Sequence, residues 1–576
     1  MLINSINRTM SMMGQLLDPR NSTVPMIELP SEKPSCPREE IQQSLTRVTP
    51  ETAGISSAHI EGFVRELLAD KTIRMHNLMI LRGGKVLYET SFGSHDLNVW
   101  KYTFSACKSV TALAVGMLYD EGKVRLEDKI VDLFPERVTA MNRLWMKDVT
   151  VRHLLSMSST VLFNEAGSAT AKCWLEGFFD SVTSSEMGKS FQYNSMNTYL
   201  LSAVVCKAAG ESMSSYLARK LFGPLGIAKY YWETCPDGIE KGGWGLYLCP
   251  EDFAKIGQLV LNKGRWKRKR IVSEEWITMM TTACMTAPES YGDFNYGFQT
   301  WVGRKSKSFL FSGMLGQDVL GFWENNVLLV SNAGNDELFQ QSNYFKIAQK
   351  YFNQPFEQAI AEDEEAYRSL LNVRTSRREE TDLPTECDWL CKLRMYAQDD
   401  LALSVGLVPL VWQAVQNRYT KGLEGLEFSV EDGTLMLHYT ETEKVYHLPI
   451  GFGCGKTSEV LVGNVPFLVS VLGKFSTDED NHPVFQVMID FLETPFSRKI
   501  KLYFMDEKSA LLRQEELPGD GFVHKLIGAL VRLLEHRPMI GVAMNKIDPD
   551  LVDYKIDKIF VPELEMKVSV KGSGKV

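Results

Sequence analysis

The sequence lacks the features that mark several large classes of protein. No apolar stretch is long enough to form a transmembrane helix, so the sequence predicts no membrane span. The N-terminus has no continuous apolar segment of the kind found in signal peptides, which favours a cytoplasmic protein. The ten cysteines are scattered without the spacing of a disulfide framework or of a zinc site. The sequence therefore predicts free thiols and no bound metal.

Further absences limit the possible functions. The formal net charge is -9, and no basic stripe with interleaved aromatic residues is present, so no nucleic-acid partner is expected. The chain contains neither the G-x-S-x-G turn of α/β-hydrolases nor the H-E-x-x-H helix of zinc proteases. The glycine-rich segment 451–457 is not typical of a phosphate-binding loop, because its first glycine lies one residue too close to Gly-Lys-Thr and a strand-like pattern follows. The sequence predicts no cofactor.

The chain of 576 residues is too long for a single core and should contain at least two domains. Residues 1–46 are rich in Pro, Ser and Asn and indicate an N-terminal arm. Residues 47–355 have strand patterns near both ends and helical patterns between them, which predicts an α+β domain. Residues 356–420 are charged and indicate a helical connection. Residues 421–576 alternate with a period of two, which predicts a smaller antiparallel β-domain, barrel-like, with a C-terminal helix and tail.

The first candidate for chemistry is a serine followed three residues later by a lysine, Ser105 and Lys108. This spacing puts both side chains on one face of a helical turn, where hydroxyl and amine can share a hydrogen bond. The segment 110–119 is apolar almost all round, which predicts a buried helix. Burial and the positive end of the helix dipole would lower the pKa of Lys108, so that a neutral amine could take the serine proton. The alternative is a serine that only caps a helix.

Two segments later in the chain contain further polar groups that could belong to the same site. Tyr193 and Ser195 lie just before an apolar helical pattern. Ser312, Gly313 and Met314 follow a strand pattern, and a glycine at that place allows a close backbone approach. Taken alone, the tyrosine could be a core aromatic residue and the glycine a strand-end turn.

Together the three segments resemble the penicillin-recognising serine hydrolases, a superfamily that includes class C β-lactamases, D-alanyl-D-alanine carboxypeptidases, esterases and 6-aminohexanoate-dimer hydrolases. The resemblance covers roughly residues 50–350. It includes short sequence segments between the motifs, which begin at Arg82, Asp120, Gly242 and Pro250. It implies a β-lactamase-like fold, in which helices and a helical insertion flank an antiparallel sheet.

The resemblance also implies roles for individual residues. Ser105 would attack a carbonyl carbon and form an acyl-enzyme, Lys108 would accept the serine proton, and Tyr193 would relay a proton to the leaving group. The backbone N–H groups of Ser105 and Met314 would hold the oxyanion. Three neighbours, Ser195, Ser312 and Gly313, would complete the substrate-binding or oxyanion site.

Two positions depart from the family pattern. Where the second motif commonly reads Tyr-x-Asn, Ser195 replaces the asparagine, although its hydroxyl can still bond to the lysine or to a substrate amide. Where the third motif commonly begins with lysine or histidine, Phe311 stands instead. The missing charge-assisted bond to a substrate carboxylate is worth about 1.5–3 kcal/mol. We therefore expect a less anionic ester or amide as substrate and poor activity on β-lactams.

Two alternatives to this hydrolase stay open at the level of sequence. The altered motifs also fit a catalytically weak protein that binds a peptide or a cell-wall fragment. A carboxypeptidase or β-lactamase would need another cation in place of Phe311, and Arg304, Lys305 and Lys307 precede it on the same hairpin. The substrate, the oligomeric state and the role of the C-terminal domain are not predicted.

Overall fold

The structure, a computed structural model, forms two compact units that divide between residues 376 and 377. The described residues are 29–41, 44–168, 171–183, 187–337, 340–373, 379–398, 405–420, 422–441, 444–519, 521, 524–525, 554, 557–558 and 560–571. Most of the predicted N-terminal arm, the predicted C-terminal helix and the tail lie outside them. Within the described parts of the chain, no helix combines the length and apolar character needed to cross a bilayer.

The first unit is built on an antiparallel sheet of seven strands in the order β2-β1-β12-β11-β10-β9-β8. A sheet of three short strands (β3-β5-β4) and a two-stranded ribbon (β6-β7) accompany it. The strands are β1 (Met75–Arg82), β2 (Lys85–Ser91), β3 (Lys101–Tyr102), β4 (Tyr230–Trp232), β5 (Leu246–Leu248), β6 (Arg265–Trp266), β7 (Lys269–Arg270), β8 (Phe294–Tyr296), β9 (Trp301–Gly303), β10 (Ser308–Gly313), β11 (Gln317–Phe322) and β12 (Val327–Ala333).

Local sequence explains the first hairpin, and long-range pairing explains the sheet. Gly83 and Gly84 both have positive φ, which suits the two-residue turn that matches the twist of β1 and β2. Strand β1 then pairs with β12, with Met79 opposite Val330. Strands from both ends of the unit thus share one sheet, which confirms the predicted α+β plan.

Helices cover both faces of this sheet. The helix that follows Ser105 belongs to one core cluster, together with α8 and α11, and is buried over nearly its whole length as predicted. Helices α1 and α13 contribute to a second cluster. The helices are α1 (Ser57–Ala69), α2 (Lys108–Asp120), α3 (Ile130–Leu133), α4 (Ala140–Met146), α5 (Val151–Leu155), α6 (Glu165–Ser168), α7 (Trp174–Phe179), α8 (Ser195–Ala209), α9 (Met213–Leu217), α10 (Gly223–Leu225), α11 (Pro250–Leu261), α12 (Glu274–Met280), α13 (Asn343–Phe352) and α14 (Glu364–Asn372).

The second unit is an antiparallel sheet of ten strands that nearly closes into a barrel, in the order β16-β15-β14-β13-β22-β21-β20-β19-β18-β17. Gly451, directly after β16 at one end of this order, donates to the Val471 oxygen at 3.0 Å and accepts from the Gly473 N–H at 2.9 Å, and both partners lie in β18, the strand next to the other end. The strands are β13 (Leu393–Ala397), β14 (Gly425–Glu431), β15 (Thr434–Glu441), β16 (Lys444–Ile450), β17 (Lys456–Val462), β18 (Val465–Thr477), β19 (Pro483–Phe491), β20 (Ser497–Phe504), β21 (Ser509–Leu517) and β22 (Glu563–Val570), with helices α15 (Cys387–Leu390) and α16 (Leu410–Gln416). The predicted C-terminal antiparallel domain is confirmed.

The segment 356–420, expected to be a helical connection, is divided between the two units. Helix α14 belongs to the first unit, where Leu370 and Val373 are buried with residues of α1. Strand β13 belongs to the second unit, where it pairs with β14 and β22. The charged exposed faces of these elements dominate the composition, and their buried apolar residues are too few to stand out in the sequence.

Candidate active site

Ser105 lies in a turn of 3-10 helix, Phe104–Cys107, that leads into α2. Its neighbours Phe104 and Ala106 are buried, whereas Ser105 itself is partly exposed. Phe104 has a φ of 46°, a left-handed conformation that is costly for a bulky residue and is typically held in place by the surrounding structure. The chain thus presents one hydroxyl at the surface of an otherwise buried turn.

Lys108, the first residue of α2, is buried and makes three short contacts. Its Nζ atom lies 2.8 Å from Ser105 Oγ, 2.9 Å from Ser195 Oγ and 2.8 Å from the backbone oxygen of Gly243. A neutral amine can donate to Ser195 and Gly243 and still offer its lone pair to the Ser105 hydroxyl. These three contacts are compatible with a neutral Lys108 amine that shares a hydrogen bond with Ser105, as the spacing of the two residues predicts.

The electrostatic environment favours the neutral form of Lys108. Burial lowers the lysine pKa from its ordinary 10.5 to about 8, against the opposing influence of Cys107 and of the Glu165 carboxylate. About one tenth of the amine is then uncharged at pH 7. An amine with this pKa can accept a proton near neutral pH.

Tyr193 lies against the same pair of residues. Burial raises the pKa of its hydroxyl above the ordinary value, although a hydrogen bond with Ser105 opposes the shift. The Lys108 Nζ atom is 5.0 Å from the centre of the tyrosine ring. Tyr193 is thus a neutral hydroxyl placed beside Ser105 and Lys108.

Ser195 reaches Lys108 because of the way helix α8 begins. Asn194 caps this helix by accepting from the N–H of Met196 at 2.9 Å, so Ser195 is its first residue. A Cβ atom on Gly243 would come within 2.9 Å of the Ser195 backbone oxygen, so a glycine lets this loop approach the helix. Asn197 faces elsewhere and accepts from Ser159 at 2.6 Å.

The third motif reaches the Ser105 turn through its backbone. A Cβ atom on Gly313 would clash with the carbonyl oxygen of Thr103, two residues before Ser105, so only glycine fits there. Met314 follows and is partly exposed. Phe311 is buried in the core cluster that contains Ala106, next to Phe253 at a ring distance of 6.2 Å.

The Ser312 side chain, in contrast, is held on the other face of the sheet. Along β10, Leu310 and Ser312 share a face, and Leu310 packs in the cluster that includes α13. Gln340 donates to Ser312 Oγ at 3.1 Å, and the Ser312 hydroxyl also bonds to the buried Asp318. The structure therefore brings Gly313 towards Ser105 but does not bring the Ser312 hydroxyl there.

The three cations considered as replacements at the third motif lie at the far end of the hairpin. Arg304 donates to Asn295 at 3.0 Å, Lys305 lies 3.5 Å from Asp293, and Lys307 lies 2.6 Å from Glu324. Lys307 is six residues before Gly313, which corresponds to about 20 Å along a strand. None of the three stands in for the missing cation.

Two features of the site were missed by the reasoning from sequence. The Glu165 carboxylate accepts from the backbone N–H of Ser195 at 2.9 Å, which places a negative charge beside the serine–lysine pair. Aromatic rings surround Tyr193, whose ring stacks on Trp301 with centres 5.7 Å apart. The density of aromatic residues between Tyr291 and Trp301 was a signal for the second feature. Nothing local to Glu165 signalled the first.

Comparison with known proteins finds similarity within the first unit. Residues 60–330 match the family model described as Beta-lactamase. The 6-aminohexanoate-dimer hydrolase of Paenarthrobacter ureafaciens is 25% identical over 228 residues, which are 34% of this chain and 55% of that protein. The chain thus spans about half the length of this curated relative.

Solved structures are similar over a comparable part of the chain. A family VIII carboxylesterase shares 16% identity at a TM-score of 0.44 and covers 54% of this chain and 99% of its own. A penicillin-binding protein from Bacillus halodurans shares 16% identity at a TM-score of 0.39 and covers 51% of this chain and 98% of its own. The match of residues 60–330 to this family model agrees with the resemblance that the three motifs indicate.

Proposed function

We propose that the protein is a serine hydrolase that cleaves a small ester or amide through an acyl-enzyme. The observation that carries this proposal is the buried Lys108 amine, 2.8 Å from the hydroxyl of the partly exposed Ser105. A weakly nucleophilic hydroxyl becomes reactive when an adjacent base takes its proton as it attacks.

Acylation uses Ser105, Lys108 and Tyr193 in turn. The neutral Lys108 amine takes the proton of Ser105 as Oγ bonds to the substrate carbonyl carbon. The backbone N–H groups of Ser105 and Met314 hold the oxyanion that forms. When the intermediate collapses, the bond to the leaving group breaks, and Tyr193 passes to that group the proton that Lys108 received.

Deacylation reverses the proton flow. A water molecule attacks the acyl carbon while its proton passes through the Tyr193 hydroxyl to the Lys108 amine, and the bond between the acyl carbon and Ser105 Oγ then breaks. The proton returns to Ser105 Oγ and the acid product leaves. No step requires a metal or a cofactor.

The substrate class follows from the charge and shape of the site. Phe311 fills the place of the cation that would bind a substrate carboxylate, and it is buried among apolar side chains. The rings of Tyr193, Tyr291 and Trp301 favour an apolar acyl group beside the serine. A neutral or otherwise non-anionic ester or amide fits better than a penicillin or a peptide ending in a carboxylate. The intact bonding around Lys108 favours an enzyme over a binding protein.

The proposal is tested by covalent labelling and turnover. A fluorophosphonate probe should label the wild-type protein, and p-nitrophenyl butyrate should be hydrolysed. Ser105→Ala should abolish both, whereas Ser476→Ala, at an exposed serine of the second unit, should change neither. A folded wild-type protein that resists the probe and hydrolyses no ester would refute the proposal.

A further inference from the structure

A buried carboxylate lies behind the third motif, on the face of the sheet that is turned away from Ser105. Asp318, on β11, is opposite Ser312 in the register of β10 and β11, and only 2% of it is exposed. The Ser312 hydroxyl and the N–H of Gly313 bond to this carboxylate, and burial raises its pKa to about 7. Among the described residues no basic side chain contributes to this shift. A buried carboxylate with neutral donors alone is costly to ionise, so a positive charge beside it is strongly favoured.

Two oxygen atoms at this place have unused capacity to accept. Asp318 Oδ1 is buried, and no donor in the described part of the chain bonds to it. Gln340 Nε2 donates to Ser312 Oγ at 3.1 Å, whereas Oε1 of the same amide is buried and bonds to no donor that the structure describes. Buried acceptors are normally satisfied. Two unsatisfied oxygen atoms, one of them on a carboxylate, therefore favour a small cation as their ligand.

The two residues line one small cavity. Ser312 and part of the turn 313–316 also line it, and the cavity has room for about one water-sized particle. Oxygen ligands suit hard cations, whereas softer metals prefer nitrogen or sulfur. A second carboxylate on the wall, Glu337, is partly exposed, so water screens its charge. The single fully buried carboxylate balances one positive charge, which favours a monovalent ion over a divalent one.

We propose that Asp318 Oδ1 and Gln340 Oε1 bind a small monovalent cation of the Na⁺ type in the cavity behind the third motif. The ion neutralises the buried carboxylate and satisfies both acceptors. Because the N–H of Gly313 bonds to the same carboxylate, the ion also holds the turn 313–316, which contains Met314. This ion site is independent of the proposed hydrolase chemistry, and its test measures no hydrolysis.

The first test compares the stability of the full chain in sodium chloride and in choline chloride, whose cation is too large for the cavity. At pH 8 the Asp318 carboxylate is largely ionised, because its pKa is about 7. We expect the melting temperature of the wild type to be about 2 °C higher in about 0.2 M sodium chloride than in choline chloride of the same concentration. Asp318→Asn removes the charge and should show no difference between the salts. Asp148→Asn, at an exposed aspartate, is the matched control and should keep the wild-type difference.

The second test is local and does not depend on global unfolding. Amide hydrogen exchange of peptides from 308–322 should be about fivefold slower in sodium chloride than in choline chloride. Gln340→Met keeps the length of the side chain and removes the acceptor, so most of this slowing should be lost.

Four results overturn the proposal. The first is a wild type whose melting temperature and exchange do not differ between the two salts. The second is a difference that Asp318→Asn retains, and the third is a slowing that Gln340→Met leaves complete. The fourth is a much larger stabilisation by calcium chloride than by sodium chloride at equal ionic strength, because the site would then prefer a divalent ion.

Discussion

The pH dependence of Ser105 acylation should report the protonation of Lys108. The lysine pKa of about 8 means that about one tenth of the amine is neutral at pH 7 and about nine tenths at pH 9. If the neutral amine is the base, the rate of labelling by a fluorophosphonate should rise about tenfold between these two values and then level off.

A carboxylate placed against the Lys108 amine should shift the pH dependence of the labelling rate to higher pH. Ser195 Oγ lies 2.9 Å from Lys108 Nζ, so Ser195→Asp puts a negative charge in contact with the amine. An opposite charge at such a distance raises a lysine pKa by about one to three units. The labelling rate at pH 7 should then fall by about tenfold or more and should recover in alkaline solution.

The neutral variant Ser195→Asn controls for shape. Its carbonyl oxygen can still accept from Lys108, and its profile should stay within about half a unit of the wild type. The assay is the rate of probe incorporation into the folded protein, measured at short times from pH 6 to pH 10. If the labelling rate of Ser195→Asp still rises near pH 8, as it does in the wild type, the assignment of Lys108 as the base is refuted.

Three further predictions concern the third motif and the strand beside it. Phe311→Lys should increase labelling by a fluorescent penicillin by about tenfold, from a restored charge-assisted bond, and should lower the melting temperature because the site is buried; unchanged labelling in a folded variant would contradict our account of substrate charge. Gly313→Ala should reduce acylation by at least about a hundredfold, because its Cβ atom would collide with the Thr103 oxygen and displace the Met314 backbone, which we propose to hold the oxyanion; near wild-type labelling would show that the backbone of Met314 is not required. Asp318 has a pKa raised by burial to about 7, so its burial penalty is absent below the unfolded pKa near 3.8 and is fully present above pH 7. Asp318→Asn should therefore raise the free energy of unfolding relative to the wild type by up to about 4 kcal/mol at pH 8 and by much less at pH 5, as measured by urea titration at the two pH values; an equal effect at both would contradict the raised pKa.

Much of the fold was predictable because it follows from short-range patterns. The paired positive-φ residues at Gly83 and Gly84, and at Asp432 and Gly433, make two-residue turns, and alternating apolar residues on either side select hairpins. The segment after Lys108 is apolar on every face, which is stable only inside a protein. The sequence patterns did not show that the segment 356–420 is divided between the two units, because only a few of its residues, such as Leu370 and Val373, are apolar and buried in the first unit's core.

The contact between Ser105 and Lys108 depends on a local spacing, whereas the rest of the candidate site does not. Ser105 and Lys108 are one helical turn apart, so the sequence by itself determined that hydroxyl and amine would meet. The lowered lysine pKa, the Gly243 oxygen that accepts from Lys108, and the Glu165 carboxylate at Ser195 were decided only by the tertiary structure. Desolvation and contact between distant segments depend on how the elements pack, and that packing brings residues together from across the first unit.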